Sequence, residues 1–237
     1  MSLLTIVQGA ANELGLVAPV QVFSSTDPNV IVLRQLADKE GRELARRYDW
    51  QVIQKEGIFT TVAAETQVPN ILTTYPDFGH IVSQSMWNRS QSKPVYGPLT
   101  ATDWQMRKSA TAQAGYSQWY RIRGNAILFF PTPPPDQTVA FEYISTGWCL
   151  GVSGEPQNGF GADLDTSLVD EEIVRLGCVW RFRKAKGFDY GEDFRTYEMA
   201  LQDAFGPDSG RPSIDMTGED TQSVFGINIP EGNWSIV

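Results

Sequence analysis

The chain is poor in the residues that most catalytic and metal sites need: two cysteines and one histidine in 237 residues. Cys149 and Cys178 are isolated, so they make neither a disulfide framework nor a zinc spacing. Cys178 lies in an apolar stretch and reads as a small buried hydrophobe, and the pair fits a reducing compartment. His80 cannot make a two-histidine metal site, and a histidine-dependent nucleophile would have to rest on it alone. It stands beside a turn, near no serine or cysteine motif, and reads as a polar residue at a strand edge. Walker and dinucleotide glycine motifs are missing. Gly151-Val152-Ser153-Gly154 lacks the spacing of a nucleophile elbow. No apolar run approaches the ~20 residues that span a membrane, and the first residues carry no basic, cleavable leader. The expectation is a soluble chain made in a cytoplasm, in which the Asn88-Arg89-Ser90 and Asn233-Trp234-Ser235 sequons mean little. No catalytic, metal or cofactor-binding residue is nominated, and no cofactor is expected.

Positive charge is also short. Lys and Arg total 19 against 28 Asp and Glu, a formal net charge of −9. That disfavours sequence-reading contact with nucleic acid, which needs a basic face. It is compatible with simple solubility, or with a wall past which DNA slides without sticking. What the chain does have is a globular apolar content, 41% hydrophobic and 11% aromatic, with seven tryptophans that tilt it toward large contacts.

The pattern along the chain predicts an α+β fold. Ser2 caps a first helix to about Leu14, and Gly15 ends it. Asp27-Pro28 starts a second that runs to about Tyr48, with Leu33, Ala37, Gly41 and Leu44 on one stripe. Strands follow at Gly57–Val62, His80–Trp87, on both sides of Gly124-Asn125, and at Val139–Ser145. In the last, Val139, Phe141 and Tyr143 alternate with Ala140, Glu142 and Ile144. Lys93–Pro98, with its two prolines, and the glycine-rich Trp148–Asp165 read as loops. A short helix starts at Thr102-Asp103-Trp104. Thr166 or Ser167 caps a long helix from about Leu168 to Lys186, closed by Gly187. A last helix spans about Asp193–Phe205, with Gly206-Pro207 as its stop. Helices this short need partners, so the terminal helices are expected to pack on each other as a helical bundle. Residues 1–50 and 151–206 then form the bundle, 51–150 an inserted β-rich domain, and 207–237 an extended tail.

Three groups of residues are candidates for function. The tail is loose by composition. Its apolar anchors Ile214, Met216, Val224, Phe225, Ile227, Ile229, Trp234 and Ile236 need a surface, either the chain's own domain or a neighbouring chain, and the neighbour is the expected one. The densest basic cluster is Arg175, Arg181, Arg183, Lys184 and Lys186. It reads as a solvated helix end, with inter-subunit ion pairing and DNA phosphate contact as the alternatives. Asp163-Leu164-Asp165 superficially resembles an acidic pair, but nothing in the flanking loop would hold the carboxylates rigid. Asp165 reads as a residue leading into the helix cap.

Four stretches taken together resemble the head-to-tail adaptor (connector) proteins of tailed bacteriophages. They are Ala11–Leu16 with Asp27–Trp50; Asp77–His80 to Met86–Arg89, then Gly97-Pro98-Leu99 and Asp103-Trp104-Gln105; Tyr120–Asn125 with Phe130–Pro133; and Phe141–Ser145 followed by Trp148. The resemblance implies a helical bundle carrying a β-rich domain, and a ring of about twelve copies around the DNA channel. It implies a C-terminal tail docked on the portal, a downstream partner (nozzle, stopper or tail tube), a virion location, and no catalytic residues. A tail-associated module that recognises a receptor or glycan through its β domain is the alternative. A cell-wall hydrolase using Asp163 and Asp165 is a third reading.

Overall fold

A computed structural model describes residues 2–109 and 117–208. The tail anchors Ile214 to Ile236 lie outside the described residues.

The first two helices form where their caps predict. In α1 (Leu3–Glu13) the Ser2 side chain accepts from the Thr5 N–H, and Gly15, at φ +70°, turns the chain out. In α2 (Pro28–Arg47) Asp27 accepts from the Asn29 N–H and Pro28 occupies the first turn. α5 (Glu171–Lys186) and α6 (Gly191–Asp208) complete the helical half. α5 packs against α1, α2 and α6, and α1 also packs against α2. Their buried side chains, among them Leu3, Ile6, Leu33, Leu44, Ile173, Cys178 and Leu201, form one core.

Between α2 and α5 the period changes to that of strands. β1 (Gln54–Thr60), β2 (Thr66–Val68), β3 (Phe78–Ile81), β4 (Trp87–Asn88), β5 (Lys93–Tyr96), β6 (Gln118–Arg123), β7 (Ala126–Phe130) and β8 (Thr138–Ser145) build one mixed sheet, with two short helices, α3 (Ile71–Thr74) and α4 (Ala101–Ser109). The order is β1-β8-β4-β5-β6-β7-β2, with β3 also on β8. Only the β5–β6 pair is parallel. The β6–β7 hairpin turns at Gly124 and Asn125, with φ +58° and +60°, as a two-residue turn with two left-handed residues requires. The curled sheet encloses a second core of Met86, Tyr120, Phe129, Val139, Phe141 and Tyr143.

The two cores meet at β8. Val139, Phe141 and Tyr143 point into the sheet core, while Ile144 on the opposite face belongs to the helical core. A step further, the fully buried Trp148 lies against Gly41 of α2.

Several expectations are corrected. His80–Trp87 is not one strand. β1 takes one edge of β8 along its whole length, and β3 and β4 share the other, separated by a turn at Ser83–Ser85 in which Gln84 has φ +60°. Lys93–Tyr96 is a strand despite Pro94, because it pairs in parallel with β6 and antiparallel with β4. The Trp148–Asp165 segment contains β9 (Cys149–Leu150) and β10 (Pro156–Gln157), which form a small sheet with β11 (Thr166–Ser167). Thr166 and Ser167 are therefore paired strand residues, and Asp170 caps α5 instead by accepting from the Glu172 N–H. α6 begins at Gly191 and continues past Gly206-Pro207 to Asp208, whose carboxylate accepts the Gln51 N–H at 3.0 Å.

Asp77 staples the sheet together. Its carboxylate accepts from Lys55 (2.5 Å), Ser145 (2.6 Å) and Tyr143 (3.1 Å), and its carbonyl accepts the Thr146 N–H. Burial pushes the carboxyl up, but these donors outweigh it and hold it below the usual carboxylate range. The folded state thus prefers the ionised form. Its contribution is complete above about pH 4 and is lost as pH falls through the lowered pKa. Asp77→Asn is expected to cost about 1–3 kcal/mol at pH 7. In urea unfolding at pH 7 and pH 3, the gap between wild type and variant should shrink at the lower pH.

Candidate interaction surface

The basic cluster on α5 is dispersed by the helix period. The guanidinium of Arg175 reaches Glu172 and, across to α1, Glu13, and its aliphatic stem crosses Gly9. Arg183 pairs with Asp193 of α6 at 2.8 Å. Lys184 lies 5.6 Å from the rings of both Trp180 and Tyr190, and Lys186 5.3 Å from that of Phe182. These two exposed lysines make no ion pair among the described residues. The arginines have partners within the chain, so the helix end is laced to its own neighbours.

Arg181 has the most consequential role. Its Nε donates to Glu40 and its Nη2 to Glu43, each at 2.5 Å, while its plane stacks on Trp180 at 4.4 Å. Glu40 is fully buried on α2 and also accepts from the Tyr197 hydroxyl of α6 at 2.5 Å. Gly177 of α5 makes room for it: a Cβ there would lie 2.4 Å from the Glu40 carboxyl carbon. One acid thus ties α2, α5 and α6. Burial raises its pKa more than Tyr197 and Arg181 lower it, and burial also raises the Tyr197 hydroxyl and the Cys178 thiol. Sequence reasoning missed Glu40. The signal was its position, three residues after Ala37 and four before Leu44, on the apolar stripe of α2.

Asp163 and Asp165 are committed to the backbone. The Asp163 carboxylate accepts the N–H groups of Val22 (3.1 Å) and Phe23 (2.8 Å). Asp165, 2% exposed, accepts those of Gly161 and Ala162, and its carbonyl accepts the Leu3 N–H. Asp165 therefore does not lead into the α5 cap, five residues on. It folds the 161–165 loop and ties it to the start of α1. Neither carboxylate is arranged as an acid or base facing a cleft.

His80, on β3, is exposed, with Nε2 3.1 Å from a carboxylate oxygen of Asp49. It forms part of a recess of ≈180 Å³ between the end of α2 and the β3–β8 junction, whose walls include Arg42, Arg46, Thr146 and Asn158. Exposed apolar side chains gather elsewhere, at the α5–α6 turn: Phe188, Tyr190 and Phe194. Among the described residues no group of three His, Cys, Asp or Glu is placed to hold a metal ion, and no helix is long and apolar enough to cross a membrane.

The fold is that of a chain whose polar clusters hold elements together. The model of one protein family, the SU10 adaptor protein, matches residues 1–221. The chain belongs to the SU10 adaptor family. That agrees with the resemblance to phage head-to-tail adaptors carried by residues 11–148. The family is a structural one of phage virions and is not a known enzyme family. A search of curated proteins finds no match.

Proposed function

We propose that this chain is a head-to-tail adaptor subunit. About twelve copies form a ring below the portal, around the DNA channel, and link the capsid vertex to the next tail protein, a nozzle, stopper or tail tube. The family match over residues 1–221 carries this reading. The internal plan supports it. The helical core, with its salt-bridged α2–α5–α6 seam, is the ring body, and the sheet at 51–150 is an appended domain. A net charge of −9 suits a wall that must not retain DNA. The tail beyond Asp208 supplies Ile214, Met216, Val224, Phe225, Ile227, Ile229, Trp234 and Ile236 as anchors for the portal. Lys184 and Lys186 are the members of the α5 cluster open to ion pairing with the next subunit.

The receptor- or glycan-binding alternative would use exposed tryptophans along a groove. Trp50, Trp104, Trp148 and Trp180 are buried, and Trp87 and Trp119 are half-buried, so the described residues offer no such surface.

The test is portal binding. The purified protein alone is expected to be monomeric or weakly self-associating, and mixing with its portal should give closed rings in electron-microscopy class averages down the axis. A chain ending at Asp208 should lose portal affinity at least tenfold with an unchanged Tm, because the helical and sheet cores draw on residues 3–205. Equal portal binding by the full and shortened chains would refute the tail's role. Absence of rings in any mixture would refute the adaptor reading.

A further inference from the structure

We infer that the recess between the end of α2 and the β3–β8 junction is a seat for a carboxylate side chain of a second copy of this chain, with Arg46 as its principal partner. The inference rests on the ring reading and names one of the contacts that closes the ring.

Three basic groups share this recess, and two are already engaged. Arg42 pairs with Asp38 one turn earlier and donates from Nε to the Asn158 carbonyl at 3.3 Å. His80 faces Asp49 at 3.1 Å. The Arg46 side chain makes no hydrogen bond or ion pair among the described residues. Its neighbours on the chain show that this is not the rule for α2, where Arg47 is held by both carboxylate oxygens of Glu198, at 2.9 and 2.7 Å. No acidic residue lines the recess, in a chain with nine more acids than bases. Its walls add the polar side chain of Asn158, while the Thr146 hydroxyl is already donated to the Asp77 carbonyl at 3.2 Å. A guanidinium fork matches a carboxylate in two parallel hydrogen bonds.

The occupant follows from size and charge. A recess of ≈180 Å³ admits one side chain. A DNA strand tracks along an open basic groove, which a recess of this size with one uncommitted guanidinium is not. The chain carries 28 Asp and Glu, so a copy is a ready source. In a closed ring the contacts are heterologous: each subunit presents its recess to one neighbour and a different surface to the other. An acid on one face and a recess on the opposite one suffice for every seam. Arg46 is exposed on the last turn of α2, so its replacement leaves both cores intact.

The test uses Arg46→Glu and Arg46→Gln in the full-length chain, titrated onto the cognate portal and followed by native mass spectrometry and electron microscopy. Wild type should fill the portal cooperatively as closed rings. Both variants should keep the wild-type Tm, need at least tenfold more protein for half-occupancy, and leave partial arcs, with Arg46→Glu the more severe. Raised salt should weaken wild-type assembly more than that of Arg46→Gln. Closed rings from both variants at wild-type concentration would overturn this inference and leave the adaptor reading standing. Failure of the wild type to form rings would overturn both. Loss of affinity for a labelled DNA duplex, with assembly intact, would assign the recess to phosphate and overturn the carboxylate.

Discussion

Replacing Glu40 with alanine is expected to cost about 3–5 kcal/mol, because it leaves a mostly buried guanidinium without its principal counter-charge. Arg181 is only 13% exposed in its side chain and would retain Glu43 alone. The Tyr197 hydroxyl, on a residue 2% exposed, would lose its acceptor. For a chain of this size the loss corresponds to a fall in Tm on the order of 10 °C. Glu40→Gln keeps an acceptor for Tyr197 and should cost less. Replacing Glu40 and Arg181 together with methionine removes both charges and should recover most of the loss, since a buried pair gains little over a well-packed apolar one. Urea unfolding of Glu40→Met, Arg181→Met and the double gives the coupling directly. A loss under 1 kcal/mol for Glu40→Ala would show that water reaches Arg181 and that the buried-charge account is wrong. The pH dependence has the opposite sign to that of Asp77. With its pKa raised by burial, Glu40 holds a proton more tightly in the folded than in the unfolded chain. Its ionisation therefore lowers stability as pH rises from the ordinary carboxylate range through the raised pKa. Glu40→Gln should flatten that decline.

The parts of this fold that were legible in the sequence are those decided by residues near one another. Ser2 and Asp27-Pro28 start helices through contacts two or three residues away. Gly124-Asn125 sets a hairpin by its own backbone angles. The alternation of Val139, Phe141 and Tyr143 needs only the strand period. What was illegible depends on distant partners. β5 is a strand because β6, more than twenty residues later, lies beside it in parallel. β3 and β4 are separate because each answers to a different part of β8. β9, β10 and β11 are two residues each, too short for any period. Thr166 or Ser167 is the expected cap of α5, but strand pairing with β9 takes both, and Asp170 caps the helix instead. The basic cluster shows the same division. Its residues were visible, but Arg181 finds Glu40 across 141 positions and Arg175 finds Glu13 across 162. A helix carrying five cations reads as an exposed basic face until the acids folded against it are known.

Gly41 and Trp148 should show a reversal of sign. A Cβ built on Gly41 would lie 2.1 to 2.4 Å from three carbons of the Trp148 indole, well inside contact distance. The ring is fully buried and packs edge-on to Phe160 at 4.7 Å, so it has little room to withdraw. Gly41→Ala is therefore expected to cost about 1–3 kcal/mol or more by overpacking. This outweighs the roughly 1 kcal/mol that alanine gains over glycine inside a helix. Trp148→Ala should cost about 3–5 kcal/mol through the cavity it leaves. In that background the clash is gone, only helix propensity remains, and Gly41→Ala should become stabilising by up to about 1 kcal/mol. A double-mutant cycle in urea reads the reversal, and an equal cost for Gly41→Ala in both backgrounds would remove Trp148 as the cause. The contact matters beyond stability. Trp148 leaves the end of β8, the strand that Ile144 binds to the helical core and Phe141 to the sheet core. The missing side chain at position 41 lets that junction close onto α2. A larger residue there would push the sheet away from the helices, and ring assembly on the portal should suffer from Gly41→Val even where the helices remain folded.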